Sequence, residues 1–77
     1  MIDYITCKID GIGYNYFKKK FTILLNIDYK SVRCFLNPNI VNFATDFYID
    51  HSTVVASLQY KDKKIYVNNI RQLSEDW

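Results

Sequence analysis

At 77 residues the chain is long enough to bury one small hydrophobic core and too short for two domains. Hydrophobic residues make up 49% and aromatics 17%, which excludes a disordered chain, and no apolar run is long enough to span a bilayer. A formal net charge of +2 supplies no global field, so any case for a polyanionic partner rests on where the cations sit.

The opening Met1-Ile2-Asp3-Tyr4 has neither the positive start nor the apolar stretch of a secretory signal. None of the seven asparagines stands in an Asn-x-Ser/Thr acceptor, and both features fit a cytoplasmic location. Ile5, Cys7 and Ile9 alternate with Thr6, Lys8 and Asp10, which predicts a half-buried first strand. Gly11 and Gly13 then predict a bulge or bend. Gly11-Ile12-Gly13 is not a dinucleotide fingerprint, because Tyr16 stands where the third glycine belongs and no helix follows. The segment Gly11–Lys20 reads as a long loop in which Tyr14, Tyr16 and Phe17 precede Lys18, Lys19 and Lys20. Aromatic faces beside cations are the two ingredients of single-strand binding, although solvated turn lysines would give the same charge run.

Phe21, Ile23, Leu25 and Ile27 form the inner phase of a second strand, and Asp28-Tyr29-Lys30 a tight turn without glycine. Val32, Cys34 and Leu36 are the inner phase of a third, leaving Leu24, Arg33 and Phe35 on the outer face. Asn37-Pro38 is a helix start, with Asn as cap and Pro preset for the first helical position. Ile40, Phe43, Ala44 and Phe47 then predict one apolar stripe on a helix that ends before Asp50. Val54, Ala56, Leu58 and Tyr60 predict an inward-facing fourth strand, and Tyr60–Lys64 a second basic loop carrying Lys61, Lys63 and Lys64. Ile65 and Val67 continue inward on a fifth strand with Tyr66 and Asn68 outward, and Ile70 and Leu73 close the core. Residues 74–77 form a short acidic tail ending in the only tryptophan, Trp77, which either folds back on the core or offers a docking tip.

Cys7 and Cys34 both lie on inner phases and read as buried free thiols, a disulfide requiring that the two inner faces bring them together. With one histidine and no paired-cysteine motif, neither a metal site nor another cofactor is expected. His51 lies between ordinary turn residues and the acids are scattered at turns, so no catalytic constellation is expected either. The Ile, Asn, Lys and Tyr content matches the coding bias of an AT-rich genome, such as that of a low-G+C bacterium, a phage or a mobile element.

Three strands, a helix and two strands is the element order of the OB-fold, which this chain resembles in pattern over nearly its whole length. The resemblance implies an all-β fold with one short helix, a five-stranded OB-fold-like barrel formed by residues 1–77 as a single domain. A β-grasp fold would need two strands before the helix, and the alternating segment 31–36, cut off from the helix by Pro38, argues for a third. An RRM would need a helix directly after the first strand, and an SH3-like barrel would lack the helix altogether. OB-folds bind oligonucleotides on the face of strands two and three and with the loops joining strands 1–2 and 4–5. The resemblance therefore gathers Tyr14, Tyr16, Phe17, Phe35 and Tyr66 as stacking candidates. Lys18, Lys19, Lys20, Arg33, Lys61, Lys63 and Lys64 become phosphate contacts. It implies a non-enzymatic single-stranded DNA- or RNA-binding module, an accessory subunit of a replication or related machine. The same aromatic, basic loop would also serve a protein-interaction module that docks on a polymerase, a helicase or another protein.

Overall fold

The computed structural model describes residues 2–73; the acidic tail expected at 74–77, with Trp77, lies outside them. Five strands follow one another as β1 (Ile2–Asn15), β2 (Lys20–Ile27), β3 (Lys30–Leu36), β4 (Thr53–Lys61) and β5 (Lys64–Gln72). Between β3 and β4 the chain makes a 3-10 turn (Pro38–Ile40) and one helix, α1 (Val41–Ile49). The sheet closes into a barrel in the order β1-β2-β3-β5-β4, antiparallel except where β3 meets β5. This barrel is compatible with an OB-fold.

Closure depends on β1, which is long enough to serve two neighbours. Its first half, Ile2 to Lys8, pairs with β4, and its second half, Lys8 to Asn15, pairs with β2. The register slips between Ile9 and Gly11, so Asp10 is the extra residue of a bulge. That bend lets one strand turn the barrel's corner. The Asp10 carboxylate also accepts a 2.6 Å hydrogen bond from the Ser31 hydroxyl at the start of β3, tying the corner across the sheet.

The inner phases meet as the alternation predicts. Ile23, Leu25, Val54, Ala56 and Val67 are fully buried, with Cys7, Ile9, Cys34, Leu36, Leu58 and Ile70 around them. Burying each of the larger of these side chains contributes roughly 1.5–3 kcal/mol. Cys7 and Cys34 are free thiols inside this core.

Four expectations are corrected. Gly11–Lys20 is not a long loop: β1 runs on to Asn15, Lys20 opens β2, and only Tyr16 to Lys19 turn. The Asn15 side chain accepts the Lys18 N–H at 3.0 Å, and Lys19 closes the turn at φ 54°. The second basic loop likewise shrinks to Asp62-Lys63, both at positive φ, as are Asp28-Tyr29 in the other two-residue hairpin. These pairs have the left-handed geometry of type I′ turns, which match the twist of the strands they join. Tyr60, assigned to the inner face, is 51% exposed near the end of β4. Phe43, assigned to the buried stripe of the helix, is 60% exposed.

The Phe43 error has a mechanical cause. Asn37 caps the Asn39 N–H at 2.9 Å, as expected, but the first turn is 3-10 and advances further per residue than an α-helix. The face presented to the barrel is thereby rotated to Ile40, Val41, Ala44 and Phe47. At the far end the Ser52 N–H reaches the Phe47 carbonyl and the His51 N–H the Tyr48 carbonyl, a Schellman closure. His51 holds its left-handed position at φ 55° without being glycine. His51→Gly should therefore raise stability by about 0.5–1 kcal/mol, a shift of a few degrees in Tm on a domain of this size. A thermal melt checks it, and an unchanged or lowered Tm would contradict the strain reading.

Candidate functional site

β3 and β5 touch over only two residue pairs, Phe35 with Tyr66 and Leu36 with Val67. The second pair points inward and seals the core. The first points outward, so Phe35 and Tyr66 lie side by side on the barrel's outer surface, ring centroids 5.4 Å apart and planes inclined by 31°. Both are half-buried, and they form an aromatic platform.

Three lysines from two separate hairpins converge on it. Lys20 Nζ lies 5.2 Å from the Phe35 centroid and 5.5 Å from that of Tyr66. Lys18 Nζ, from the β1–β2 turn, is 5.4 Å from the Phe35 centroid, and Lys64 Nζ, from the start of β5, is 5.7 Å away. Their neighbours' charge pulls the Lys18 pKa below its ordinary value, Lys64 contributing most and Lys20 less. The sequence of the surrounding strands explains why the charge is uncompensated: β2, β3 and β5 contain no aspartate or glutamate, nor does the stretch from Gly11 through Lys19. Cation–π attraction, roughly 0.5–1 kcal/mol at exposed sites, helps hold the ammonium groups over the rings.

Shallow depressions run across this face. One, of about 420 Å³, is lined by Phe21, Phe35, Leu36, Pro38 and Tyr66 with Lys19, Lys20 and Asn37. A second, of about 240 Å³, continues past Phe35 to Arg33, Lys63, Lys64 and Ile65. A third, of about 190 Å³, begins at Arg33 and passes over Leu24 and Thr22 to Gly11 and Gly13. The glycines face outward, and neither has a positive φ. An added Cβ would meet only Leu24 or Thr22 at 3.5 Å, ordinary contact, so what their lack of side chains provides is open surface.

The expected site residues thus separate into groups. Lys18, Lys20, Lys64, Phe35 and Tyr66 come together, with Arg33 and Lys63 along the same face and Lys19 bordering the depression of about 420 Å³. Lys61 pairs with Lys64 at the base of the second hairpin and is exposed. Tyr14 does not join the platform. The bulge at Asp10 shifts it to the phase of Phe21, against which its ring packs edge-on at 4.9 Å, with Tyr16 at 5.1 Å, and near the barrel's end it stays 39% exposed. Tyr16 and Phe17 stand at the hairpin tip, 81% and fully exposed. Pro38 and Phe21 were not singled out from the sequence as site residues; their place beside Phe35 follows from the barrel's closure and has no local signal.

Among the described residues no group of three or more His, Cys, Asp or Glu side chains is arranged to hold a metal ion. No described helix is long and apolar enough to cross a membrane. No family model matches the chain, and no curated protein does.

Proposed function

We propose that this chain is a non-enzymatic OB-type module that binds single-stranded DNA or RNA on the outer face of β2, β3 and β5. It would act as an accessory subunit of a cytoplasmic replication or related machine. The observation that carries this reading is the convergence of Lys18, Lys20 and Lys64 over the Phe35–Tyr66 pair on strands free of carboxylates. The outward faces of half-buried rings are surfaces for bases, and an uncompensated group of ammoniums is a surface for phosphate. The run of depressions gives an extended strand a path across the barrel.

The test is anisotropy of a labelled dT oligonucleotide of about 15 nucleotides at several salt concentrations. Each phosphate contact contributes about −0.7 to the slope of log affinity against log salt on a single strand. Replacing Lys18, Lys20 and Lys64 together with alanine should weaken binding and flatten that slope by about 2. Lys19→Ala, whose ammonium is not among those over the rings, should leave the slope nearly unchanged. Absence of saturable binding at low salt, up to high micromolar protein, would remove the proposal.

One observation favours a second use of the same end of the barrel. Phe17 is fully exposed beside Tyr16 at the hairpin tip, where a partner such as a polymerase or helicase would find an aromatic anchor. An aromatic contact of that kind survives moderate salt that weakens lysine–phosphate contacts.

A further inference from the structure

Resting on the proposed function, one feature of the platform is more specific than binding to a single strand. The ammonium groups of Lys18, Lys20 and Lys64 all lie within 5.7 Å of one point, the centre of the Phe35 ring. Phosphodiesters along a strand bring one negative charge each to separate points. A phosphomonoester brings about 1.5–2 charges at neutral pH to one point, with three exposed acceptor oxygens. Three convergent ammoniums can offer each of the monoester's three oxygens a hydrogen bond, and their charge exceeds what one monoester carries.

The surroundings supply the rest of a nucleotide's needs. The depression of about 420 Å³ is lined by Lys20 together with Phe21, Phe35, Pro38 and Tyr66, with Lys19 and Asn37 as further polar lining. Its volume falls within the roughly 300–1,000 Å³ typical of small-ligand sites, and its lining is mostly apolar and aromatic. A base and sugar therefore have a cleft immediately next to the cationic point.

We propose that Lys18, Lys20 and Lys64 seat a nucleoside phosphomonoester whose base lies in the adjoining depression against Phe21, Phe35 and Pro38, so that the module holds the phosphorylated end of a strand. A free nucleoside monophosphate carries the same chemistry, and the experiment separates the two sources.

The experiment compares 5′-phosphorylated, 3′-phosphorylated and unphosphorylated dT oligonucleotides of equal length, with dTMP and thymidine as competitors. One terminal phosphate should tighten binding about tenfold, the equivalent of about 1.4 kcal/mol. Lys18→Ala/Lys64→Ala should remove that preference, so that phosphorylated and unphosphorylated dT bind with the same, weakened affinity. Competition by dTMP but not thymidine, at concentrations near those of the phosphorylated strand, would support the seat and assign it to the mononucleotide. Weaker competition by dTMP than by the strand would assign it to strand ends. Equal binding of all three oligonucleotides would overturn the phosphomonoester seat and leave the single-strand reading standing. Lysine-dependent binding of dTMP with no binding of any oligonucleotide would overturn the single-strand reading and uphold the seat. If neither dTMP nor any oligonucleotide binds, both fall.

Discussion

Raising the pH from 9 to 11 should strip about 4 kcal/mol from the stability of this domain, through two thiols it keeps in its core. Cys7 and Cys34 are 6% and 2% exposed on the inner faces of β1 and β3. Burial pushes each thiol pKa from 9.0 up to about 11, with Asp10 adding to the effect on Cys7 and Cys7 to that on Cys34. In the unfolded chain both groups ionise near pH 9, while the folded chain still holds their protons. Between the two values the folded state binds more protons, so stability falls as pH rises. The contribution is fully present below pH 9 and lost by about pH 11. A shift of about two units is worth roughly 2 kcal/mol or a little more per thiol. Total stability for a chain of this length is about 4–12 kcal/mol, so the loss is a large share. Lys18 acts in the opposite direction, since its folded pKa is lowered, but it is solvent-exposed and does not offset two buried groups. Urea melts at unit steps from pH 8 to 11 should show a steep decline in the native protein. Cys7→Ala/Cys34→Ala starts less stable because it leaves space in the core, but its decline over the same window should be shallow. Parallel declines in the two proteins would rule out the thiols as the cause.

The strand phases were legible because the alternation is clean: Ile23 and Leu25, Cys34 and Leu36, Val54 and Ala56 all face inward as read. What was not legible came from geometry that composition does not encode. Gly-Ile-Gly followed by aromatics has the composition of a loop, yet β2 pairs with it residue for residue through Asn15 and holds it as strand. The single bulge at Asp10 then moves Tyr14 from the set of free aromatics to the phase of Phe21. Likewise one 3-10 turn rotates α1 enough to replace Phe43 with Val41 on its buried face. Phe35 and Tyr66 were each recognisable as outward aromatics, but their adjacency depends on the short parallel contact between β3 and β5, a pairing between strands distant in sequence. The convergence of Lys18 with Lys64 follows from that contact.

The unpaired charge and the platform also constrain how binding proceeds. Before a base stacks on Phe35, the face of that ring is shared by three ammonium groups. Displacing one costs about 0.5–1 kcal/mol of cation–π attraction, whereas stacking a base returns about 1–3 kcal/mol. The released ammonium meets phosphate, so it exchanges one favourable partner for another and relieves its repulsion from the other two lysines. Stacking and phosphate contact are therefore coupled at this site, and a ligand that offers only one of them forgoes the coupling as well as the other contact.

Phe35→Ala should accordingly lower affinity for a dT oligonucleotide by about 5- to 150-fold, the range set by a stacking energy of about 1–3 kcal/mol. The salt slope should stay close to that of the native protein, because the lysines remain. The Lys18/Lys20/Lys64→Ala variant should do the reverse at high salt: its affinity should approach the native value as screening removes the phosphate contribution, leaving the aromatic one. Combining the two sets of changes tests the coupling directly, since a double-mutant cycle on independent groups adds and one on groups sharing a ligand does not. The combined loss should fall short of the sum, because a base held on the ring brings its phosphate to the lysines, and a ring without the lysines no longer has a phosphate fixed beside it. Phe35 is half-buried, so the variant's melt has to be recorded and binding measured well below its midpoint. A folded Phe35→Ala protein that binds dT as tightly as the native one would move the site away from the platform, leaving the exposed hairpin tip at Tyr16 and Phe17 as the surface to test next.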